Sequence, residues 1–293
     1  MLTQLVIPIS ILSASSYGIS LDSFLSRTQE YFADFSWDDY VLRQNQITLL
    51  RKTKTVQSKQ MPLTEHFWEA YYFGQEDKML TERLIYALTQ DEKAALKSVK
   101  PTRRRAVSEF SLVKNGSWHI ERVSAKPFAQ QEALIEDNNN RDFRIGSRRF
   151  KDLPEEMIDD DLIKLIKGTS GQISQHDPSV KKMDLVVHHA EVVCYPDQQA
   201  SNAPEGIHQD GMDYIVSALV ISRSNISGGR SIIYDNDKST RILEVELCPG
   251  QGILQPDKNT RLWHDVTPIQ SLDDISAGSR STLGFDFTVT QRG

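Results

Sequence analysis

The chain has 293 residues and carries 34 lysines and arginines against 40 aspartates and glutamates, a formal net charge of −6. Hydrophobic residues make up 39% of it, which excludes a disordered chain because burial of that much apolar surface can offset the entropy lost on folding. The acidic balance argues against nucleic acid as the main partner, since proteins that bind it usually present a basic surface. Two cysteines, Cys194 and Cys248, are too few for a disulfide framework or a cysteine-based zinc site and favour a reducing, cytoplasmic location.

The N-terminal half and residues 154–167 carry the helical patterns. An apolar run at residues 5–14 is interrupted by Pro8 and is shorter than the ~20 residues of a membrane span, so we expect a strand or buried arm and no membrane segment. Apolar residues at helical spacing predict helices over residues 20–32, 64–72, 78–98 and 154–167. Pro154 marks the expected start of the last helix and Gly168 its expected end.

From about residue 183 the pattern changes to short β-branched and aromatic runs, separated by turn signals such as Gly228–Gly229 and Pro249–Gly250. Many short strands without intervening helices are typical of an antiparallel sandwich or barrel. The sequence contains no internal repeat and no low-complexity linker. We therefore expect a single domain over residues 1–293, with a helical region at 1–100 and a strand-rich core at 101–293.

The segment EGIHQDGMDY at residues 205–214 holds the most informative chemical pattern. His208 and Asp210 are two residues apart, so on an extended strand both side chains project to the same face and can share a metal ion. The candidate third ligand is His264 in the segment RLWHDVTP. Two histidines and one carboxylate leave open coordination positions, which suits non-haem Fe(II), although a zinc hydrolase can use the same ligands.

A second clue is Arg280, which begins a predicted strand at residues 278–287. A buried arginine costs free energy unless it meets an anion. A dicarboxylate cosubstrate fits this need, because the guanidinium takes its distal carboxylate in a bidentate pair while its keto-acid end chelates the metal. Thr282 shares the face of Arg280 and can donate a hydroxyl hydrogen bond to the same carboxylate.

Together these motifs resemble the Fe(II)/2-oxoglutarate-dependent dioxygenases, and in detail the group that includes the L-isoleucine dioxygenases, which hydroxylate free amino acids. The resemblance is carried by four ordered segments: His208–Asp210, Asn225–Gly229, Trp263–Pro268 and Arg280–Phe287. Weaker similarities occur upstream at residues 105–108, 128–130 and 146–150. The resemblance covers about two thirds of the chain and does not extend to residues before about 100.

The resemblance implies a mainly β fold with a double-stranded β-helix (jelly-roll, cupin-like) core at residues 101–293 and N-terminal helices packed on one sheet. It implies Fe(II) held by His208, Asp210 and His264, with 2-oxoglutarate as cosubstrate anchored by Arg280, and O2 as oxidant. The reaction it implies is hydroxylation of a C–H bond of a free amino acid or similar small carboxylate, with release of succinate and CO2.

Several alternatives remain open at the level of sequence. Related enzymes desaturate the substrate or close a ring after the same hydrogen abstraction. Others act on a protein side chain or a nucleobase, and a non-catalytic jelly-roll protein would keep the ligands without the reaction. The expected partner is a small amino acid-like molecule, with neither nucleic acid nor membrane, and the oligomeric state is left undetermined.

Further residues are candidates for contacts with 2-oxoglutarate or substrate because of their positions in the sequence. Tyr195 precedes the first metal ligand in the chain and is either a hydrogen-bond donor to 2-oxoglutarate or a packed core residue. Gly284 follows Arg280 and Thr282 on the same face, so its missing side chain would leave room for substrate. The remaining candidates flank the metal pair or offer a polar group to a substrate carboxylate: Gln209, Asp213, Arg105, Gln130 and Arg149.

Four other residues bear on the identity of the substrate or on the choice of metal ligands. Arg230 follows the Gly–Gly pair where the family is often acidic, and Cys194 stands where relatives can carry arginine; both bear on the identity of the substrate. His188 and His189 are adjacent, so they point to opposite faces of a strand. We interpret one as a core residue and the other as a cross-strand contact, and neither as a better ligand than His264.

Overall fold

The structure is a computed structural model that describes residues 9–58, 61, 63–127, 143, 146–203 and 206–293. Its α-helices are α1 (Leu21–Phe32), α2 (Asp39–Lys52), α3 (Lys54–Gln57), α4 (Glu65–Phe73), α5 (Lys78–Ala87), α6 (Gln90–Ser98) and α7 (Asp160–His176). Its strands are β1 (Ser10–Ser13), β2 (Arg103–Asn115), β3 (Ser117–Val123), β4 (Val180–Cys194), β5 (Tyr214–Ser224), β6 (Ile226–Gly228), β7 (Ser231–Tyr234), β8 (Arg241–Val245), β9 (Gln251–Pro256), β10 (Trp263–Val266), β11 (Ile269–Ser271) and β12 (Gly278–Arg292).

The strands form one large antiparallel sheet in the order β1-β9-β5-β12-β4-β2-β3 and two small ones, β10-β7-β8 and β11-β6. Val220 and Ile253 of the large sheet pack against Ile233 of β7 and Leu262 before β10, and these side chains are buried. This large antiparallel sheet, with its small partner sheets and helices, confirms the expected mixed jelly-roll architecture.

Alternation along β12 separates a helix-facing side from a site-facing side. Leu283 and Phe285 belong to the main core, together with Phe24 of α1 and Leu165 of α7. Since successive side chains of a strand point to opposite faces, the other face of β12 carries Arg280, Thr282, Gly284 and Asp286.

Most of the predicted helices are present. The helices expected at 20–32 and 64–72 are confirmed as α1 and α4. The expected helix at 78–98 is two helices, because Thr89 forms a capping box with Glu92 and starts α6 there. Helix α2 was not predicted from the sequence. The N-terminal strand expected within residues 5–14 is present as β1, which pairs with β9.

The boundaries predicted for the helix at 154–167 were wrong. Helix α7 starts after Asp159, whose carboxylate accepts a hydrogen bond from the Leu162 backbone amide at 2.8 Å. Gly168 lies inside this helix and does not end it. A Cβ at Gly168 would lie 2.3 Å from the Tyr17 ring, so the glycine is required for close packing against that ring.

No helix in the described part of the chain is both long and apolar enough to span a membrane.

A buried ion pair joins the helical region to the sheet. Arg103 of β2 donates from Nε and Nη2 to Oδ2 of Asp38, at 2.9 and 2.7 Å. The other oxygen of Asp38 accepts from the backbone amides of Tyr40 and Val41 at the start of α2. Burial alone would raise the pKa of Asp38, but the positive charges of Arg103 and Arg105 outweigh it and lower that pKa.

We predict that Asp38→Asn lowers the free energy of unfolding by about 3–5 kcal/mol, because Arg103 would be left buried without its counter-charge. Asparagine is also a good N-cap, so helix α2 keeps its cap. Urea unfolding at neutral pH measures the change, with Asp39→Asn on the exposed side of the same turn as control. Folding lowers the pKa of Asp38. The ionised carboxylate therefore adds to the free energy of unfolding above the ordinary aspartate pKa, and this contribution is lost as the pH falls through the lowered value. Equal urea midpoints for the two variants would contradict the prediction.

Candidate active site

A backbone bridge brings the two predicted ligand histidines together. The amide of His208 donates to the carbonyl of His264, and the amide of His264 donates back to the carbonyl of His208, both at 3.0 Å. The centroids of the two rings are 4.2 Å apart, and the ring planes are tilted by 56°. His264 belongs to β10, which pairs antiparallel with β7 and places His264 opposite Ile233.

Asp210 completes the cluster. Its Oδ1 lies 3.5 Å from Nε2 of His208, and its Oδ2 lies 3.4 Å from Nε2 of His264. One ligand atom from each of the three residues lies within 4.8 Å of the others. Burial alone would raise the pKa of Asp210, but the neighbouring imidazoles hold it well below its usual range. Two imidazoles and an ionised carboxylate form a donor set that suits a divalent transition metal.

The orientation of His208 is fixed by its second nitrogen. Its Nδ1 lies 2.7 Å from the carbonyl oxygen of Gly206, and a carbonyl can only accept, so Nδ1 carries the proton. Nε2 is then directed towards Asp210. This arrangement, in which the outer nitrogen donates to a carbonyl and the inner one faces the other ligands, is common among metal-bound histidines.

Asp257 faces the outer nitrogen of His264 and is not among the residues predicted from the sequence. Its Oδ1 lies 4.0 Å from Nδ1 of His264, and both are buried atoms without a hydrogen-bond partner among the described residues. Its Oδ2 accepts from the amides of Gly211 and Met212, just after Asp210. Burial and the charge of Asp210 raise the pKa of Asp257 to about 7.

Gln209 lies between the two ligands in sequence, and its side chain is buried. Its amide nitrogen donates to the carbonyls of Asp257, Thr260 and Leu262, at 3.2, 3.3 and 2.6 Å. These bonds join the loop that precedes His264 to the loop that carries His208. The amide of Gln209 therefore positions both metal-site loops.

Arg280 is almost completely buried, with 2% of its surface exposed. Its Nε and Nη2 have no hydrogen-bond partner among the described residues. Burial and the positive charge of Arg223 lower its pKa to about 10, so it remains cationic at neutral pH. A buried guanidinium with unmade hydrogen bonds is costly, and a carboxylate from a bound molecule would satisfy it.

The Gly–Gly motif shapes the wall beside Arg280. Gly229 has a φ of +67°, and a Cβ there would lie 2.9 Å from Cδ of Arg280. Arg223, which sequence analysis also missed, donates to the carbonyls of Gly228 and Gly229 and pairs with Glu246 at 3.2 Å. Glycine at position 229 is thus required both by its backbone conformation and by the close approach of the arginine.

Thr282 and Gly284 continue the face of Arg280. Thr282 is buried, and its hydroxyl lies 3.5 Å from the carbonyl oxygen of Ala190. A Cβ on Gly284 would find Cβ of His188 at 3.7 Å and the carbonyl oxygen of Val216 at 3.9 Å. These are ordinary contact distances, so a methyl group would fit at Gly284 without displacing its neighbours.

The other residues predicted to contact cosubstrate or substrate do not form one cluster in the structure. The Tyr195 hydroxyl donates to the carbonyl of Pro101 at 3.0 Å, and Asp213 accepts from the amide of Val289 at 2.8 Å. Arg105 and Arg149 line one cavity of about 170 Å³, with Asp38, Tyr40 and Phe150 among its other walls. Gln130 lies outside the described residues.

The chain is similar to known proteins both in sequence and in fold. Residues 83–286, more than two thirds of the chain, match the family model described as 2OG-Fe dioxygenase. The fold is similar to that of a bsmA homolog from Methylobium petroleophilum PM1, at 15% identity and a TM-score of 0.65, over 97% of this chain and 90% of that one. It is also similar to IDO from Bacillus thuringiensis, at 12% identity and a TM-score of 0.59, over 97% and 94%. No curated protein sequence matches this chain.

We predict that Asp257→Asn weakens Fe(II) binding by about 10- to 100-fold, because the variant loses the carboxylate that faces Nδ1 of His264. Asparagine keeps an oxygen for the amides of Gly211 and Met212. An anaerobic Fe(II) titration measures the affinity, with Asp265→Asn on β10 as the matched control. Equal affinity in the two variants would show that Asp257 does not support the histidine.

Proposed function

We propose, from the premise that this chain belongs to the 2OG-Fe dioxygenase family, that it oxidises a C–H bond of a free amino acid or a similar small carboxylate. The protein is a 2-oxoglutarate-dependent non-haem iron dioxygenase and uses Fe(II), 2-oxoglutarate and O2. The expected outcome is hydroxylation: one oxygen atom enters the substrate, the other enters succinate, and CO2 leaves.

The observation that carries this proposal is a cluster of ligand atoms combined with a buried, unsatisfied arginine. His208, Asp210 and His264 present their donor atoms within 4.8 Å of one another, and they are assigned to Fe(II). Arg280 has two nitrogens without hydrogen-bond partners and is assigned to the distal carboxylate of 2-oxoglutarate. Thr282, on the same face, is assigned to the same carboxylate.

The contribution of the chain is positioning and charge. When bound, iron with 2-oxoglutarate and O2 supplies the oxidising power that breaks an unactivated C–H bond. Nδ1 of His208 keeps its proton and donates it in a hydrogen bond to the carbonyl of Gly206, which directs Nε2 towards the other two ligands. Arg280 holds an anion in a buried setting, where a charge-assisted hydrogen bond is stronger than in water. The space in front of Gly284 is assigned to substrate.

Two observations support a small substrate over a macromolecule. Arg280, Thr282 and Asp286 on the site-facing side of β12 are buried, which leaves little surface there for a polymer. The cavity lined by Arg105 and Arg149 offers positive charge to a carboxylate. The proposed group, free amino acid hydroxylases, is also the one that the sequence motifs resemble. Two cysteines without a disulfide among the described residues accord with the proposed cytoplasmic location.

The proposal is tested by adding Fe(II) and 2-oxoglutarate without O2 and following the absorption band of the complex. The twenty L-amino acids are then screened with O2 for succinate and by mass spectrometry. A product heavier by one oxygen atom indicates hydroxylation, and one lighter by two hydrogens indicates desaturation or ring closure. Failure to form the Fe(II)–2-oxoglutarate complex would contradict the assigned site. Succinate formation with a peptide or nucleobase and none with amino acids would contradict the substrate class.

We predict that Arg280→Lys raises the KM for 2-oxoglutarate by about 10- to 100-fold, because lysine cannot form the bidentate pair that a guanidinium makes with a carboxylate. Fe(II) affinity should be unchanged, since the variant leaves the three ligands intact. Steady-state succinate release measures the first quantity and an anaerobic titration the second. Arg230→Lys, at a half-exposed arginine near the Gly–Gly turn, is the control and should keep the wild-type KM.

A further inference from the structure

A row of three polar side chains crosses the site-facing side of the large sheet. Nη2 of Arg105 on β2 lies 2.7 Å from Nδ1 of His188 on β4. Nε2 of His188 lies 2.9 Å from Oδ2 of Asp286 on β12. None of the three belongs to the ligand cluster or to the assigned 2-oxoglutarate anchor.

The direction of both hydrogen bonds is determined. A guanidinium only donates, so Nδ1 of His188 accepts from Arg105. The single ring proton is therefore on Nε2 and is donated to Asp286. The row therefore consists of a cation, a neutral imidazole and an anion, and the imidazole ring separates the two charges.

The row faces the same side as Arg280. Gly284 pairs with His188, and Ala190, two residues further along β4, pairs with both Thr282 and Arg105. Residues directly opposite each other in a sheet project to the same face. The backbone amide of Asp213 donates to the carbonyl of Phe287, so the Asp286 end of the row adjoins the segment that follows Asp210.

The row is not completely covered. The side chains of His188 and Asp286 are 12% and 9% exposed, and Gly284, opposite His188, has no side chain to cover them. Arg105 additionally lines the cavity that contains Arg149, and its guanidinium lies 4.2 Å from the centre of the Phe150 ring, which fixes its plane. Burial and the charge of Arg103 lower the pKa of Arg105 to about 9, so it stays cationic at neutral pH.

We propose that this row is the binding site for the head group of an α-amino acid, with Asp286 receiving the ammonium group and Arg105 the carboxylate. The head group carries an ammonium and a carboxylate on the same carbon atom. It can therefore lie along the imidazole of His188, with its ammonium next to Asp286 and its carboxylate next to Arg105. The proposal rests on the proposed function and refines it: a substrate without the amino group loses the ion pair with Asp286, and one without the carboxylate loses the ion pair with Arg105. A buried site that loses a charged partner discriminates strongly.

The test uses the anaerobic complex of the full-length protein with Fe(II) and 2-oxoglutarate. Each of the twenty L-amino acids is titrated into it, and the shift of the absorption band gives the dissociation constant. For the tightest amino acid, the matched acid without the amino group and the matched amine without the carboxylate are titrated next. We expect both analogues to bind at least about 10-fold more weakly.

The decisive variant is Asp286→Asn, which keeps the shape and removes the charge. It should weaken binding of the amino acid by about 10- to 100-fold and leave the des-amino acid nearly unchanged, so the preference between them collapses. Asp184→Asn, at an exposed aspartate of β4, is the matched control and should keep the preference. If Asp286→Asn does not fold, Gly284→Leu replaces it and should weaken amino acid binding by filling the space beside His188.

The possible results distinguish failure of the proposed function from failure of the head-group site. If Fe(II) and 2-oxoglutarate give no band in the wild type, the proposed function itself fails. If the band forms but no amino acid shifts it, or if Asp286→Asn keeps the preference for the amino group, the head-group site is overturned and the iron site stands. If Gly284→Leu is needed and binds amino acids like the wild type, the head-group site is likewise overturned.

Discussion

The site depends on the mutual pair of backbone hydrogen bonds between His208 and His264. The two residues are far apart in sequence, and this bridge brings their rings to a centroid distance of 4.2 Å. It requires extended backbone at both positions, which also places Asp210 on the same side as His208. The bonds from Gln209 to the loop before His264 reinforce it. A metal that binds here therefore meets ligands that the backbone has already ordered, which lowers the entropy lost on binding.

Much of this could be predicted from the sequence, since it depends on local rules. A two-residue spacing on extended chain puts His208 and Asp210 together, and a lone arginine in an apolar strand predicts an anion near Arg280. Helix α1 followed from the spacing of its apolar residues. The error at α7 arose because Gly168 was interpreted as a stop signal, whereas it makes room for Tyr17. That contact joins segments about 150 residues apart, which no local rule detects.

The polar groups that support the site were harder to predict for the same reason. Asp257 resembles an ordinary turn residue after proline, and its role depends on where His264 arrives. The row of Arg105, His188 and Asp286 needs the register of β2 against β4 and of β4 against β12. A shift of one residue in either pairing would turn one member of the row to the other face. Strand register is set by the whole sheet, so the sequence alone could name Arg105 as a candidate without identifying its partners.

The close contact between Gly229 and Arg280 has a consequence for how this protein can diversify. The glycine lies at a positive φ with its missing Cβ directed at the guanidinium stem, so the two positions are sterically coupled across a turn and a strand. A larger residue at 229 displaces the arginine, and a shorter residue at 280 opens a void behind the turn. A substitution at either position therefore has to be matched by a change at the other, whereas Gly284, four residues further along β12, makes only ordinary van der Waals contacts and can be changed alone.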